Sequence, residues 1–287
     1  MRLYDTAPWY GHGLSEHRLG AMLRGGSRAE ALISTKVGRV YYPAPRGEDA
    51  RVQWLGGLNF GLRFDYSAAG FEASLGQSRL RLGQPTIDAA VIHDLDRGYH
   101  GAAYDGHMAD LTGSGLAFLH GLKAAGEIAA VGMGINALED FERVAGWIEV
   151  DFFLVAMPYT LLDQASLNGP MAACVERGIH VVVGAPFVSG LLTDPSKPGL
   201  MYAYGPVPDD VRARALAIEA ACREHGVPLM AAALRFPLLH PAVVSVIPGA
   251  VAPEQVRQNV ANAGVAIPGE LWATLKARGL IDPDAPT

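Results

Sequence analysis

Short apolar runs alternate with longer amphipathic stretches along this chain, and that alternation restricts the possible folds more than any other feature of the sequence. Most of the runs are continuously apolar, which is typical of strands covered on both faces in a parallel sheet. They are RLYD, ALISTKV, IDAAVIHD, EIAAVGMG, VDFFLVAM, IHVVVGAP and AVVSVIPGA. Apolar residues three and four positions apart predict helices between them. The helical stretches are GFEASLGQSRLRLG, ADLTGSGLAFLHGLKAAG, ALEDFERVAGWI, LLDQASLNGPMAACVERG, DVRARALAIEAACREHG and PEQVRQNVANAG.

Strand–helix alternation repeated over 287 residues predicts an α/β fold. The leading architecture is a (β/α)8 TIM barrel, and the alternative is a doubly wound open sheet. No Pro-, Ser- or Gly-rich linker divides the sequence, so we expect a single domain over residues 1–287. Two long connections, 37–67 and 187–209, follow strands, where barrels keep their substrate contacts and lids.

Charge and cysteine content restrict the partners and the location. The 23 basic and 29 acidic residues give a net charge of −6, and no basic stripe is present, which argues against nucleic acid and membrane surfaces as partners. Cys174 and Cys222 lie far apart without CxxC spacing, as in a reducing compartment. No apolar run reaches the roughly 18 residues that cross a bilayer. We therefore expect a soluble, cytoplasmic protein. We also expect no metal site, because the histidines form no HxxxH or HExxH pair.

Three ionisable residues stand at the ends of three successive strands: Asp5, Lys36 and His93. Each also has a purely structural explanation: Asp5 as the cap of a loop, Lys36 as a lysine that reaches solvent, and His93 as a hydrogen-bonded core histidine. Together with Tyr10 on the loop TAPWYG, they fit a proton relay at a carbonyl or carbinol. A nearby ammonium favours the phenolate, a carboxylate keeps that ammonium charged, and a histidine can hold a substrate oxygen.

These motifs resemble those of the aldo-keto reductases. YDTAPWYG matches the family's Asp and Tyr motif, STKVG its Lys strand and IHD its His strand, while VGMGIN and VIPGAVAPEQVRQN match two later strands. The resemblance implies a barrel and an NAD(P)-dependent oxidoreductase. In that enzyme Tyr10 donates or accepts the proton, Lys36 and Asp5 adjust the acidity of Tyr10, and His93 orients the substrate. Members of the family carry a further strand and helix before this first strand, so we expect the barrel to lack its first strand-helix unit.

Within the family, DTAPWYGHGLSEHRLG, RFDYSAAGFEASLGQSRLRLG and GAPFVSGLL resemble the branch that includes D-threo-aldose 1-dehydrogenase (L-fucose dehydrogenase) and pyridoxal 4-dehydrogenase. The resemblance implies oxidation of a hemiacetal carbon, in a sugar or in pyridoxal, to a lactone, with Tyr10 as the base. Two alternatives stay open. One is a general aldehyde or ketone reductase, and the other is a cofactor-binding regulatory protein like the β-subunits of potassium channels. The sequence does not determine the oligomeric state.

The segment VGMGINALEDF also matches G-x-G-x-x-A, a form of the Rossmann dinucleotide fingerprint. That fingerprint needs an acidic residue at the carboxyl end of the next strand, whereas Glu149 and Asp151 stand at its beginning. We therefore interpret the segment as a barrel strand. The family resemblance then implies that Asn136 binds the nicotinamide carboxamide.

The resemblance assigns the rest of the cofactor site to two segments. The predicted cofactor contacts are Pro186, Phe187, Gly190, Leu191, Gly249, Gln255, Gln258 and Asn259. Gly249, Ala250 and Val251 carry no charge, and Gln255 stands where arginine is frequent in the family, so a 2′-phosphate would lack a cation. We therefore favour NAD, with NADP possible and Arg257 as the one nearby cation.

Three further residues are predicted substrate contacts. Trp9 and His12 flank Tyr10, and Asp94 follows His93. Aromatic loop residues also pack without binding anything, so this prediction depends on where the side chains point.

Overall fold

The computed structural model describes residues 2–26, 28–50, 54, 56–203 and 205–287. Its strands, in chain order, are β1 (Leu3–Asp5), β2 (Leu32–Val37), β3 (Arg39–Pro43), β4 (Phe60–Phe64), β5 (Ala89–Ile92), β6 (Ala130–Ile135), β7 (Phe152–Val155), β8 (His180–Gly184), β9 (Met201–Tyr202), β10 (Gly205–Pro206) and β11 (Val243–Ile247). Each of the seven predicted runs overlaps one strand of a seven-stranded parallel sheet, ordered β1-β2-β5-β6-β7-β8-β11. A doubly wound sheet reverses its strand order part-way, so this sequential order favours the barrel-type α/β fold over the alternative.

The helices of the described residues are α1 (Leu14–Leu23), α2 (Ala68–Leu82), α3 (Arg97–His100), α4 (Tyr104–Asp110), α5 (Leu116–Ala124), α6 (Leu138–Ala145), α7 (Ala172–Arg177), α8 (Asp209–Glu224), α9 (Leu229–Arg235), α10 (Pro253–Ala263) and α11 (Gly269–Ala277). Local signals explain both ends of α2. The Ser67 hydroxyl accepts a hydrogen bond from the Gly70 N–H at the start of α2, and Gly83 ends that helix in the left-handed conformation, at φ 61°.

Contacts divide the chain into two compact units. The first comprises residues up to Gly134 together with Glu149–Phe152, and the second comprises Ile135–Ile148 and Phe153–Thr287. In the described part of the first unit, β2 and β5 are almost wholly buried, and β1 pairs with β2 in parallel, with Asp5 opposite Ser34. That register brings the carboxyl ends of β1 and β2 together. The single-domain assignment stays a prediction.

A buried ion pair links α1 to α2 in the first unit, and its carboxylate also accepts a hydrogen bond from β2. Glu16 of α1 is fully buried and accepts from the Thr35 hydroxyl at 2.6 Å and from Arg81 Nε at 2.5 Å. The two helices pack closely, since a Cβ on Gly20 would stand 2.0 Å from the Leu82 carbonyl oxygen. The helix layer therefore holds the strand that carries Lys36.

The Rossmann-like glycines lie inside β6. A Cβ on Gly132 would stand 2.5 Å from the Phe152 ring, and one on Gly134 would stand 3.4 Å from the Ile92 carbonyl oxygen. These glycines permit close packing of strands and do not form a phosphate-binding turn. Asp151 also has a structural role, because its carboxylate accepts a hydrogen bond from the Val131 N–H at 2.8 Å.

The second unit buries both cysteines. Cys174 on α7 and Cys222 on α8 are free thiols, and burial raises the pKa of each to about 12. Protonated, buried thiols are poor nucleophiles, so both act in packing. Across the described residues of the chain, no helix is both long and apolar enough to span a bilayer. The cytoplasmic location stays a prediction.

The two long connections contain structure that periodicity did not predict. The first holds the antiparallel pair β3 and β4, in which Arg39 lies opposite Phe64, although residues 51–53 and 55 of that connection lie outside the described part of the chain. The second holds the short pair β9 and β10, and residue 204 between them is likewise outside it. The hairpin of β3 and β4 places Arg39 beside the catalytic candidates.

Candidate active site

Asp5 and Lys36 form a buried ion pair where β1 and β2 end. Lys36 Nζ lies 2.6 Å from Asp5 Oδ2 and donates to the Thr6 carbonyl at 2.9 Å, while the Ser34 hydroxyl donates to Asp5 Oδ1 at 2.9 Å. The side chains are 2% and 8% exposed, so little water screens the pair. Burial lowers the pKa of Lys36, but Asp5 and then Tyr10 raise it by more, so the ammonium stays charged.

Tyr10 lies on the turn that follows β1. Its ring stands over the ammonium, with Lys36 Nζ 4.8 Å from the ring centroid, and it meets His93 edge-on at 5.9 Å between centroids. The turn that carries it continues through Gly11 and Gly13 at φ 61° and 93°, which glycine adopts without strain. The structure therefore brings the four predicted catalytic residues together in the first unit.

The acidity of Tyr10 reflects competing effects. Burial is the largest and raises the pKa above the ordinary value of 10.0, Lys36 lowers it, and the carboxylates of Asp5 and Asp94 raise it again. Lys36 thus lowers the pKa of Tyr10, as the sequence predicted, but burial raises that pKa by more. In this structure Tyr10 is a phenol at neutral pH.

His93 follows β5 and is held by charged neighbours. Its Nδ1 lies 2.8 Å from Arg39 Nη1, and its Nε2 lies 3.3 Å from Asp94 Oδ2. Burial lowers the pKa of His93 well below 6.5; Asp94 opposes this shift, whereas Arg39 and Lys36 add to it. The imidazole is therefore neutral.

Arg39 belongs to the same cluster and was not predicted from the sequence. It is 1% exposed, and its Nη2 donates to Asp94 Oδ2 at 2.8 Å. The available signal was a lone arginine in the otherwise apolar run VGRVYY, directly after the lysine strand. That run falls within the connection 37–67, and its strand pairing with residues 60–64 is a long-range contact that local sequence does not reveal.

The predicted substrate contacts have different surroundings. Trp9 is half-buried and lies 4.9 Å from the Arg39 guanidinium carbon. His12 is 1% exposed, its Nε2 lies 3.0 Å from the Phe60 carbonyl oxygen, and its ring packs 4.9 Å from that of Tyr41. Asp94 forms an ion pair with Arg39. As substrate contacts, all three stay predictions.

The loop after β8 carries four of the predicted cofactor contacts in the second unit. Pro186, Phe187 and Leu191 are buried, and Gly190 turns the chain at φ 93°. Val188 in the same loop has φ 49°, which is strained for a β-branched residue. Such strain costs about 1–3 kcal/mol and gathers at binding and catalytic sites.

The remaining cofactor candidates of the second unit follow β6 and β11. Asn136 directly follows β6 and is half-buried, while Gly249 and Gln255 are exposed. The Gln255 side chain accepts from the Val251 N–H at 2.7 Å and so satisfies a donor just before α10. Asn259 is buried on the same helix.

A cavity of about 460 Å³ lies in the second unit and is lined by Gln258. Its other polar lining residues are Thr193, Glu219, Arg223 and Asn262, and Met230 and Leu229 are among the apolar ones. The lining thus combines amide, hydroxyl, guanidinium and carboxylate groups with apolar side chains, a mixture typical of small-molecule sites. Glu219, Arg223 and Met230 were not predicted, because they lie on helices that precede the motif in the chain.

Comparison with known proteins assigns the family. The model of the "Aldo/keto reductase family" matches residues 1–278. The chain belongs to the aldo-keto reductases. It is an NAD(P)-dependent oxidoreductase with the α/β fold of that family, as the motifs predicted.

Two relatives of this aldo-keto reductase span nearly the whole chain. It is 39% identical to pyridoxal 4-dehydrogenase of Microbacterium luteolum, over 98% of this chain and 85% of that one. It is 38% identical to D-threo-aldose 1-dehydrogenase of a Pseudomonas species, over 98% and 84% of the two chains. The holo form of an aldo-keto reductase from Bacillus halodurans has the same fold, with a TM-score of 0.71 at 22% identity, over 98% and 83% of the two chains.

Proposed function

We propose that this aldo-keto reductase oxidises the hemiacetal carbon of an aldose of the L-fucose type, or of pyridoxal, to a lactone. The observation that carries the proposal is the buried Asp5–Lys36 pair beside Tyr10 and His93. Relatives at 39% and 38% identity, named for pyridoxal and for a D-threo-aldose, support this substrate class.

Tyr10 moves the proton in this mechanism. As the phenolate it takes the proton of the hemiacetal hydroxyl, the electron pair of that O–H bond forms the lactone C=O, and the hydrogen on the same carbon leaves as hydride. The bound nicotinamide supplies the acceptor for that hydride. Lys36 stabilises the phenolate and Asp5 keeps the lysine charged.

His93 positions the substrate oxygen in the proposed mechanism. A neutral imidazole can donate one hydrogen bond to the hydroxyl oxygen and later to the carbonyl oxygen that replaces it. That bond holds the oxygen within reach of Tyr10, which raises the rate by orientation.

The cofactor preference that we propose is for NAD. In the second unit, Gln255 is engaged with the Val251 N–H, and Arg257 pairs with Glu254 at 3.0 Å. Within this described segment, the cation that a 2′-phosphate would meet is Arg257, which is already paired, whereas Arg223 lines the cavity beside Gln258. The adenosine would be held by residues that line the cavity, such as Gln258 and Asn262.

The direct test measures the absorbance of reduced nicotinamide while L-fucose, D-arabinose and pyridoxal are each offered with NAD or NADP. We expect NAD to be reduced and a lactone to accumulate. If no substrate reduces either cofactor while NADH still quenches tryptophan fluorescence, the dehydrogenase proposal fails. That result would favour the cofactor-binding regulatory protein instead. If aldehydes are reduced and no hemiacetal is oxidised, the enzyme is a general carbonyl reductase, which the protonated state of Tyr10 at neutral pH also suits.

The raised pKa of Tyr10 predicts opposite pH profiles for the two directions. Oxidation needs the phenolate, whose fraction grows about tenfold per pH unit below the pKa, so kcat/KM for oxidation should climb steadily from neutral to alkaline pH. Reduction needs the phenol and should stay level until the pH passes about 10. Measuring kcat/KM in both directions across this range checks the prediction. An oxidation rate that is flat from neutral pH upward would contradict it.

Adding a cation at Gln255 should shift the cofactor preference. In Gln255→Arg, a guanidinium would face the 2′-phosphate, and a charged hydrogen bond of about 1.5–3 kcal/mol improves affinity about tenfold to a hundredfold. We expect the Kd for NADP to fall by that factor while the Kd for NAD changes little.

Val260→Arg is the matched control, since it adds the same charge to an exposed position of the same helix. Equal gains for NADP in both variants would mean that general charge, not contact at Gln255, changes the preference.

A further inference from the structure

We propose that Glu219 selects NAD over NADP, because its carboxylate repels a 2′-phosphate on the adenosine of the cofactor. This role rests on the proposed function for one point, that the cavity lined by Gln258 holds the adenosine. Glu219 belongs to none of the cofactor motifs that the sequence predicted, and only the fold brings it to that cavity.

The cavity has the size and the lining that an adenosine group requires. Its volume of about 460 Å³ is within the range of small-molecule sites. Gln258 and Asn262 supply amide groups, and Leu229 supplies apolar surface for a base. Helix α8 contributes two charged side chains to the lining, those of Glu219 and Arg223.

Neither of these two charges is neutralised by an ion pair within the part of the chain that the structure describes. On the same helix Glu224 pairs with Arg278 at 2.6 Å, so α8 forms such pairs where a partner is within reach. Glu219 stands one turn before Arg223, a spacing that permits an ion pair, yet the two side chains do not pair. Both therefore present an unpaired charge to the group that occupies the cavity.

The two charges differ in their exposure to solvent. Glu219 is half-buried, whereas Arg223 is exposed. Water and salt screen an exposed charge more strongly than a partly buried one, so the carboxylate acts over a longer distance than the guanidinium. Glu219 is therefore the stronger influence on a phosphate in the cavity.

The dimensions of the cavity bring a 2′-phosphate within range of the carboxylate. A space of about 460 Å³ is about 10 Å across, close to the Debye length of about 8–10 Å at physiological ionic strength. A phosphate monoester carries a charge of about −1.5 to −2, whereas the 2′-hydroxyl of NAD is neutral. At low salt, repulsion over about 8 Å weakens binding of the phosphate by about threefold to tenfold.

The first experiment measures the Kd values of NADH and NADPH for the wild-type protein by isothermal titration calorimetry. We expect NADPH to bind about threefold to tenfold more weakly at low salt, and the two Kd values to converge near 1 M salt, where the Debye length is about 3 Å. Attraction by Arg223 or Arg257 would give the opposite result, a preference for NADPH that salt removes. That result, or a ratio of the Kd values that salt leaves unchanged, would overturn the proposal.

The second experiment compares Glu219→Gln with Glu176→Gln. Both variants remove one carboxylate, but Glu176 is exposed on α7 of the same unit and does not line the cavity. At low salt we expect Glu219→Gln to lower the ratio of the NADPH Kd to the NADH Kd by about threefold to tenfold, and Glu176→Gln to change it less than about twofold. Equal changes in both variants would attribute the discrimination to the net charge of −6 and refute the role of Glu219.

Arg223→Gln tests which of the two charges dominates. We expect this variant to raise the same ratio by a smaller factor than Glu219→Gln lowers it, because the guanidinium is exposed. A larger effect in Arg223→Gln would make the guanidinium the determinant and refute the proposal. If Glu219→Gln does not fold, the salt dependence of the wild-type protein still decides the sign of the interaction.

Failure of the proposed function is separate from failure of this role. The Kd values are measured without substrate, so a protein that oxidises no hemiacetal still shows whether Glu219 discriminates between the two dinucleotides. Conversely, an active hemiacetal dehydrogenase whose Kd ratio is unchanged in Glu219→Gln would retain the proposed function and lose the role of Glu219.

Discussion

Replacing Tyr10 with phenylalanine should lower kcat for oxidation by about 10²- to 10⁴-fold, the range that general acid–base groups contribute. Phenylalanine keeps the ring above Lys36 and against His93, so packing is retained while the proton carrier is lost. The remaining activity should also lose its rise at alkaline pH, because no phenolate can form. Steady-state kinetics in both directions, with NADH binding followed by tryptophan fluorescence, measure the effect.

Tyr42→Phe is the matched control for this variant. Tyr42 lies on β3 of the same unit and is 43% exposed, so the same hydroxyl is removed where we expect no chemistry. The control should keep wild-type kcat and the alkaline rise. A Tyr10→Phe enzyme with kcat near that of the control would remove Tyr10 from the mechanism.

The largest expected effect on stability comes from Glu16→Gln. Glu16 is 0% exposed and binds Arg81, which is 11% exposed, so the variant leaves a mostly buried guanidinium without its counter-charge. Removing one partner of a buried ion pair costs about 3–5 kcal/mol, and the slight exposure of Arg81 places this case near the lower limit. At about 2–4 °C per kcal/mol, the melting temperature should fall by roughly 6–12 °C.

Two further variants separate the ion pair from other effects. The double variant Glu16→Gln/Arg81→Met removes both charges and should recover part of the lost stability, because no unpaired charge is left. Asp105→Asn breaks an exposed pair with Arg97 and should cost less than about 1 kcal/mol. If Glu16→Gln melts within a degree or two of the wild-type protein, the pair does not fasten α1 and α2 as we infer.

Much of the sheet and of the site follows from local sequence. Parallel strands buried on both faces are continuously apolar, and each of the seven predicted runs overlaps a strand. The boundaries were approximate: IDAAVIHD was predicted as one run, and β5 ends at Ile92, which places His93 just beyond it. Because parallel strands end at the same edge of a sheet, strand ends also predicted that Asp5, Lys36 and His93 meet.

Other elements escaped prediction for physical reasons. Helix α9 reads LMAAALR and buries five of its seven residues, so no polar face interrupts it and no helical period appears. Helix α1 begins at Leu14, shortly after the loop TAPWYG, and was not among the predicted helices. The hairpin of β3 and β4 joins residues about twenty positions apart, and register over such a distance is set by tertiary packing.

The sequence by itself predicted the seven strand segments, the family and the candidate set Asp5, Tyr10, Lys36 and His93, because strand periodicity and residue type at strand ends are local properties; the strand order came from the structure. Only the tertiary structure decided the state of those groups. Burial raises the pKa of Tyr10 against the pull of Lys36, and Arg39 reaches His93 from a hairpin whose pairing no local pattern encodes. Desolvation and long-range hydrogen bonds depend on everything packed around a group, and so they exist only in the folded chain.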